Sequence, residues 1–380
     1  MKVVCGGRLF DGEAVHENRA VQVENGKISA VIADRDIPRD VEIIDLQGGL
    51  LAPGFIDIQV NGGGGVLFND RPDVDGLRTL FAGHRQFGTT AMLPTLISDD
   101  FPTMVAAAQA IREARNQSLP GIIGVHFEGP YVNAKRKGVH DPAQIRAFED
   151  QARALYDDPE LGVVVVTLAP ERCPSGLIRE LSRAGVRVCA GHTAGTYEDM
   201  QAAMAEGLAG FTHLFNAMTP LQSRAPGVVG AALEDRHTWC GIIVDGHHVH
   251  PATLKIAVAA KQTGKMMLVS DAMPCVGATD KSFRLGGQAI HWQNGVLTTA
   301  DGTLAGSDLD MAQAVRNTVQ LLDQPIEEAL RMASLYPAAF LGLSHTLGYI
   351  RPGYQADFVL LDDAFDVQAT WVAGQRENHR

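Results

Sequence analysis

Runs of apolar, mostly β-branched residues recur along the middle of the chain, and each stops at polar residues, glycine or proline. They are LLAPGFIDIQV (ending near Gln59), TTAMLPTLI (89–97), IIGVHFEGP (122–130), LGVVVVTLAP (161–170), VRVCAGHT (186–193), AGFTHLFN (209–216), TWCGIIVDG (238–246) and KMMLVSDA (265–272). Their ends recur roughly every 30 residues, the size of a strand–helix–strand unit. The pattern therefore predicts eight buried strands.

The segments between these runs have the spacing of amphipathic helices. In the segment 310–322, one stripe of the helix is apolar and is formed by Met311, Ala314, Val315, Val319 and Leu322. Ser307 with Asp310 matches a capping box ahead of this helix. Eight buried strands that alternate with helices predict a (β/α)8 TIM barrel. A doubly wound sheet is the competing fold, but no glycine-rich dinucleotide fingerprint follows the first strand.

The two ends of the chain follow a different pattern. Residues 1–50 hold short strands broken by turns, including the hairpin signal Asn25-Gly26, and residues 347–365 repeat this style. We therefore predict a small β-sandwich domain built from residues 1–50 and 346–380. The barrel domain, residues 51–345, is inserted between its two halves.

Composition excludes several classes of protein. The formal net charge is −12 and no Lys/Arg run provides a basic patch, which argues against nucleic acid as a partner. Five scattered cysteines without C-x-x-C spacing predict no disulfide framework and a reducing compartment. The start of the chain does not read as a signal peptide, and no apolar stretch of about 18 residues is present to span a bilayer. These features predict a cytoplasmic protein without membrane contact.

Candidate chemistry lies at the carboxyl ends of the predicted strands, where barrel enzymes place their active sites. Glu128, His192 and His213 follow the third, fifth and sixth strands, and one carboxylate with two imidazoles is a ligand set that catalytic zinc uses. A single histidine at a strand end is more often a hydrogen-bonded core residue, so the prediction depends on the set. Asp271, after the last strand, is placed to exchange protons with a water molecule activated there.

The first strand ends in two amides and four glycines. Gln59 and Asn61 are two residues apart in IDIQVNGGGG, so they point to the same face of the strand. The glycine run 62–65 is compatible with a phosphate cradle, but such a run is more often a tight turn.

Ten segments in chain order carry a resemblance to a known family. They are PGFIDIQVNGGGG, HFEGPYVN, KGVHDP, TLAPE, AGHT, THLFNAM, PGVVGAAL, VDGHHVH, VSDAM and LAGSDLDM. Together they resemble the N-acetylglucosamine-6-phosphate deacetylase family of the amidohydrolase superfamily, over nearly the whole chain. HFEGP, GH and THLFNAM in combination are highly specific.

The resemblance explains the two amides. Amidohydrolases usually end the first strand with His-x-His, which binds one metal of a pair, whereas here Gln59 and Asn61 occupy a vestigial second metal position. Because amides bind zinc weakly, we expect one divalent metal ion per subunit on Glu128, His192 and His213. Zinc is the expected ion, with iron, cobalt and manganese as alternatives.

The resemblance also implies a reaction and a substrate site. The expected reaction is hydrolysis of the N-acetyl group of N-acetyl-D-glucosamine 6-phosphate, with Asp271 as base and then acid, and with His140 donating to the carbonyl oxygen. Arg224 and His248 match family positions that bind the 6-phosphate, and the family implies a homodimer because such groups can come from the neighbouring subunit. The other expected substrate-binding residues are Val139, Asn216, Ala217, Gly246, His247, Leu304, Ala305 and Gly306.

The sequence leaves two alternatives open. One is a cyclic amidase, dipeptidase or deaminase of the same superfamily, many of which use His-x-His and often a modified lysine on the fourth strand. The fourth strand here, VVVVTLAPE, contains no lysine, which lowers this alternative without eliminating it. The other is a non-catalytic relative that has lost its metal, although it would then have kept the metal-ligand and aspartate positions.

Overall fold

The computed structural model describes residues 1–379, and seven short strands precede the barrel. They are β1 (Lys2–Cys5), β2 (Arg8–Phe10), β3 (Val15–His16), β4 (Arg19–Glu24), β5 (Lys27–Ala33), β6 (Glu42–Asp45) and β7 (Leu50–Pro53). Four of them form a sheet in the order β5-β4-β1-β6. The remaining three belong to a second sheet that the C-terminal strands complete.

The middle of the chain folds as the predicted barrel. Its strands, with two short ones inserted after the first, are β8 (Phe55–Val60), β9 (Gly62–Gly63), β10 (Val66–Leu67), β11 (Thr89–Ile97), β12 (Gly124–Glu128), β13 (Val163–Leu168), β14 (Arg187–Ala190), β15 (Gly210–Phe211), β16 (Trp239–Ile242) and β17 (Met266–Leu268). Apart from β9 and β10, these pair in parallel in sequence order from β8 to β17. A parallel bridge between Val60 and Ala272 brings the last strand back to the first. The TIM-barrel prediction is confirmed.

Ten α-helices accompany the strands in the described part of the chain. They are α1 (Val74–Arg85), α2 (Phe101–Asn116), α3 (Gln151–Tyr156), α4 (Leu177–Arg183), α5 (Tyr197–Glu206), α6 (Gly227–Glu234), α7 (Pro251–Ala260), α8 (Met311–Leu322), α9 (Ile326–Ala333) and α10 (Leu335–Leu341). Their buried side chains join those of the barrel strands in one continuous apolar core. Within residues 1–379, no helix combines the length and the apolar character that crossing a membrane requires.

Helix α8 lies where its apolar stripe predicted it, but the capping prediction was wrong. Asp310 is the N-cap, and its carboxylate accepts a hydrogen bond from the backbone N–H of Gln313 at 2.7 Å. The hydroxyl of Ser307 instead donates to the carbonyl of Ser270 at 2.5 Å. Ser307 therefore ties the loop before α8 to the end of the last barrel strand.

Three further strands from the C-terminus complete the terminal sheets. They are β21 (Phe358–Leu361), β22 (Val367–Val372) and β23 (Gln375–Asn378), and the second sheet has the order β23-β22-β21-β7-β2-β3. The two sheets share an apolar cluster in which Val4 and Val21 of one meet Leu51 and Trp371 of the other. Both chain ends thus contribute to one sheet-rich unit. The domain division at residues 50 and 345 remains a prediction, and β7 continues past the first of these boundaries.

A small antiparallel sheet, absent from the sequence-based picture, follows the last barrel strand. It consists of β18 (Phe283–Leu285), β19 (Gln288–Gln293) and β20 (Val296–Thr298). Its buried residues Leu285, Ile290 and Leu297 pack against the ends of β10 and β11. The sheet therefore lies at the carboxyl-terminal mouth of the barrel.

Candidate metal centre and active site

A buried carboxylate and two buried imidazoles converge at the mouth of the barrel. Glu128 is the last residue of β12, and His192 and His213 each follow their strands, β14 and β15, by two residues. Glu128 Oε1 lies 3.0 Å from the Nε2 atoms of both histidines. The two Nε2 atoms are also 3.0 Å apart. The barrel thus gathers the three predicted metal ligands into one triangle.

The chemistry of this triangle fits a divalent cation. His192 Nδ1 is 2.8 Å from the backbone carbonyl of Arg136, which can only accept, so a neutral His192 carries its proton there and turns the Nε2 lone pair inward. Without a cation, this lone pair and those of Glu128 Oε1, 3.0 Å away, repel each other. Tetrahedral zinc with ligands at about 2.0–2.1 Å separates adjacent ligands by about 3.3 Å. The observed spacing is close to that value.

A third imidazole, that of His140, lies beside this triangle. Its Nε2 is 3.9 Å from Glu128 Oε1, and its ring meets the edge of the His192 ring at 4.3 Å between centroids. The ligand atoms of Glu128, His140 and His192 all lie within 4.8 Å of one another, so a second ligand set is available by distance alone. Burial lowers the pKa of His140 to about 4, which leaves a neutral ring at physiological pH.

The two amides of the first strand face the carboxylates. The Gln59 side-chain NH2 donates to Glu128 Oε2 at 3.0 Å and to Asp271 Oδ1 at 3.1 Å, and Asn61 donates to the same Asp271 oxygen at 2.7 Å. Because a carboxylate can only accept, the amides present N–H groups here rather than lone pairs. A second cation therefore meets donors where a His-x-His pair would offer ligands.

The pKa values of the Glu128 and Asp271 carboxyl groups are shifted in opposite directions. Burial opposes ionisation of Glu128, but the three surrounding imidazoles, of His140, His192 and His213, hold its pKa well below its usual range. Burial, with the nearby charge of Glu128, raises the pKa of Asp271 to about 6. Glu128 is thus held as an anion, as a metal ligand must be. Asp271 has a pKa close enough to neutral pH to accept and release a proton, as an acid–base group does.

A cavity of about 560 Å³ opens above this cluster. It is lined by the three candidate ligands, His140 and Asp271, and by most of the expected substrate-binding residues, namely Val139, Asn216, Ala217, His248, Leu304 and Gly306. His248 is fixed by a 2.6 Å contact between its Nδ1 and the Asp245 carboxylate. The cavity has the size of a small-molecule site, and several polar side chains converge in it.

Other expected residues lie outside that lining within the described chain. Arg224 lines a separate cavity of about 380 Å³. Gly246 and His247 are exposed, and Ala305 is fully buried beneath the wall. Gln59 lies behind the cavity and acts through its contacts with the two carboxylates.

Sequence reasoning missed several polar residues around the site. Asp57 accepts from the backbone N–H of Ser270 at 3.3 Å and also from its hydroxyl, which anchors the residue before Asp271. Its signal was available, because a carboxylate in an apolar run needs partners. Ser98, which contacts His140, had no local signal. The basic stretch 135–137 lines the cavity and was also overlooked.

The fold and the site together define a class of enzyme. A family model described as the amidohydrolase family matches residues 50–376, and the chain belongs to this family. A second model, the NagA composite domain, matches residues 3–51.

Several individual proteins similar to this chain belong to one group within the family. The chain is 42% identical to an N-acetylgalactosamine-6-phosphate deacetylase of Shewanella sp. (strain ANA-3), over 99% of this chain and 95% of the relative. It is 35% identical to an N-acetylglucosamine-6-phosphate deacetylase of Haemophilus influenzae, over 94% and 95%. The crystal structure of N-acetylglucosamine-6-phosphate deacetylase from Pasteurella multocida matches with a TM-score of 0.96 at 35% identity, covering 99% of both chains.

Proposed function

We propose that the protein hydrolyses the N-acetyl group of N-acetyl-D-glucosamine 6-phosphate to give D-glucosamine 6-phosphate and acetate. The observation that carries this proposal is the Glu128–His192–His213 triangle facing Asp271 within one cavity. The substrate comes from the relatives, whose names specify deacetylases of N-acetylated hexosamine 6-phosphates.

The three triangle residues are the proposed ligands of one divalent ion per subunit, with zinc as the proposed metal. Mixed nitrogen and oxygen ligation also accepts iron, cobalt or manganese. When bound, such an ion supplies Lewis acidity that makes water a stronger nucleophile at neutral pH. The donor amides of Gln59 and Asn61 support a single ion.

The chain's own groups carry the proton transfers in this proposal. Asp271 accepts a proton from the attacking water as its oxygen adds to the acetyl carbon. It then gives the proton to the amine nitrogen as the C–N bond breaks. His140 donates a hydrogen bond to the carbonyl oxygen, which gains negative charge as the water adds.

A phosphate-binding role for His248 and Arg224 completes the proposed site. His248 lines the cavity, and the Asp245 carboxylate orients its ring. Arg224 lines the other cavity, which supports the proposal of a homodimer in which Arg224 of the partner subunit reaches the substrate. Its planar guanidinium suits a phosphate group because it donates two bonds at once.

N-acetyl-D-galactosamine 6-phosphate is the second candidate substrate. The relative at 42% identity is named for this sugar, which differs from the first candidate only in the configuration at one ring carbon. Both compounds present the same acetamide to the proposed metal site and the same phosphate to the proposed anion site. Their ranking therefore depends on contacts with one hydroxyl.

Acetate release tests the proposed function directly. Purified protein is assayed with both hexosamine phosphates, with N-acetylglucosamine lacking the phosphate, and with a cyclic amide and a dipeptide. We expect acetate from the phosphorylated sugars, loss of activity with a chelator, and recovery with zinc. Ring opening or peptide cleavage without acetate release would refute the proposal.

Metal content provides a separate check. Dialysed protein analysed for metals should retain one tightly held divalent ion per chain, because the second position offers N–H donors. Two tightly held equivalents would contradict the assignment of Gln59 and Asn61 as a vestigial position.

A further inference from the structure

Ser98 contacts the Nδ1 atom of the His140 ring. It follows β11 directly, is 6% exposed, and its hydroxyl oxygen lies 2.6 Å from His140 Nδ1. The backbone N–H of the same residue also points at that nitrogen, at 3.3 Å. Two groups of one residue therefore converge on a single ring atom.

The backbone contact indicates which ring nitrogen carries the proton. An N–H group can only donate, so Nδ1 of His140 must present its lone pair to Ser98. In a neutral imidazole the proton then resides on Nε2, the nitrogen on the Glu128 side of the ring. That N–H contact is long, so the Ser98 hydroxyl, which donates to Nδ1 across only 2.6 Å, provides most of the interaction that holds this tautomer.

The opposite arrangement applies to the adjacent ring of His192. Its Nδ1 faces a backbone carbonyl, which can only accept, so its Nε2 carries the lone pair. Two imidazoles in edge contact are thus held in opposite tautomers, one by the hydroxyl and N–H of Ser98 and the other by a backbone C=O. One of them is prepared to bind a cation and the other to donate a hydrogen bond.

The HFEGP segment makes room for this contact. A Cβ added at Gly129 would lie 2.2 Å from the Ser98 hydroxyl oxygen, so only glycine leaves space for the serine at this place. Gly129 also has a φ of +86°, which favours glycine independently. Gly129 therefore leaves the space that the Ser98 hydroxyl occupies.

We propose that Ser98 is a positioning residue that keeps the proton of His140 on Nε2. It thereby excludes His140 from the metal ligand set and makes its ring the hydrogen-bond donor to the substrate. This selects Glu128, His192 and His213 over the second set that distance alone allows. The donor role depends on the proposed deacetylase function, whereas the tautomer is a property of the protein.

Histidine-selective ¹⁵N NMR of the zinc-loaded protein measures the tautomer. One- and multiple-bond couplings between ring nitrogens and carbon-bound protons distinguish Nε2–H from Nδ1–H, and a His140→Gln variant assigns the signals. We expect Nε2–H for His140 in the wild type and a mixed population in Ser98→Ala, with Nε2–H restored in Ser98→Thr. An Nδ1–H ring in the wild type would overturn the proposal.

Kinetics on the same variants complete the test. Ser98→Ala should lower kcat roughly tenfold with KM unchanged, a fraction of the ~100- to 1000-fold loss expected for removing an oxyanion donor. Ser98→Thr should regain most of that loss. Ser334→Ala, which removes another buried serine hydroxyl far along the chain, should leave kcat and the tautomer as in the wild type.

The outcomes separate the two proposals. Unchanged tautomer and kcat in Ser98→Ala would overturn the role of Ser98, as would a loss of kcat without a tautomer change. If the wild type releases no acetate from either sugar phosphate, the deacetylase proposal fails. The NMR result then still decides whether Ser98 sets the tautomer.

Discussion

Three of the residues proposed to carry the chemistry have left-handed backbone conformations. The φ angles of His192, His213 and Asp271 are 47°, 32° and 52°. Holding a non-glycine residue in this conformation costs about 1–3 kcal/mol, which contacts with the surrounding structure must offset. At Asp271, the N–H donates to the Gln59 carbonyl and the carbonyl accepts from the N–H of Ser307. Tight turns directly after the strands thus aim these side chains into the cavity.

Replacing Asp271 with asparagine separates proton transfer from metal binding. Asp271→Asn should lower kcat by roughly 100- to 10,000-fold, because the amide cannot take up the proton from water. Metal content should stay at the wild-type level, since Asp271 is not among the three proposed ligands. Acetate release and metal analysis on the same preparation measure both quantities.

Asp357→Asn is the matched control for that variant. Asp357 is also a buried aspartate whose pKa is raised to about 6 by burial, and it accepts from the N–H of Ala373 at 2.6 Å. Since it lies at the terminal sheets, its replacement should leave turnover intact. Turnover by Asp271→Asn comparable to that of this control would remove Asp271 from the mechanism.

The charged residues of the site could be predicted from the sequence better than the residues that contact them. Glu128 and Asp271 stood out because an ionisable group in an apolar run needs a reason to be there. The contacts that set their chemistry join distant residues, such as Ser98 with His140, 42 positions apart. No local pattern marks such a pair, because only the closed barrel brings the strand ends together.

Among the elements, the glycine run after the first strand has a packing role. The N–H groups of Gly62, Gly64 and Gly65 all donate to carbonyls of residues 272–276, so they are not free to cradle phosphate. A Cβ added at Gly63 would lie 2.6 Å from His84 Nε2. The run therefore allows α1 to approach β9 closely, which supports the tight-turn interpretation over the phosphate cradle.

His84 makes the stability of this contact depend on pH. Its Nε2–H donates to the Gly62 carbonyl at 2.9 Å, and burial lowers its pKa to about 4. The unfolded chain, with a histidine pKa near 6.5, binds the proton more readily. Stability is therefore full above about pH 6.5 and falls as the pH drops toward 4, by about 3 kcal/mol from this residue.

A His84→Gln variant tests this. Glutamine keeps an N–H donor for the carbonyl but does not titrate, so the free energy of unfolding should fall less on acidification than in the wild type. Urea denaturation at about pH 7 and about pH 4.5 measures the difference. His345→Gln, at an exposed histidine, is the control and should follow the wild type. Parallel curves for wild type and His84→Gln would contradict the assignment.

The strands of the barrel were predictable and the added sheet was not. All eight apolar runs became strands, because a strand buried on both faces requires an uninterrupted apolar segment. The strands of the small sheet are short and mostly exposed, as in β19, where only Ile290 is buried. The cap of α8 was misplaced for a related reason, since tertiary contact with Ser270 occupied the Ser307 hydroxyl.

On the scale of the whole molecule, one chain divides the proposed substrate contacts between two cavities. Asp271 and His248 line one, and Arg224 lines the other. The protein carries a formal net charge of −12, so an anionic sugar phosphate needs a positively charged side chain near it to bind. A symmetric dimer can bring Arg224 of the partner subunit to the first cavity.

Arg224→Ala tests the phosphate contact. This variant should raise KM for the phosphorylated sugar far more than for N-acetylglucosamine, because the lost interaction involves only the phosphate. Arg39→Ala, at an exposed arginine beside the terminal sheet, should change neither constant. An equal rise for both substrates would deny Arg224 this role.

Mixing two defective variants tests whether Arg224 acts across the interface. Arg224→Ala and Asp271→Asn are unfolded together, refolded and assayed at a phosphorylated-sugar concentration too low for Arg224→Ala to turn over. If the arginine serves the neighbouring site, each mixed dimer has one intact site, with Asp271 from one subunit and Arg224 from the other. Random pairing should then restore about a quarter of wild-type activity. If it serves its own subunit, every mixed dimer lacks an intact site and the mixture stays inactive.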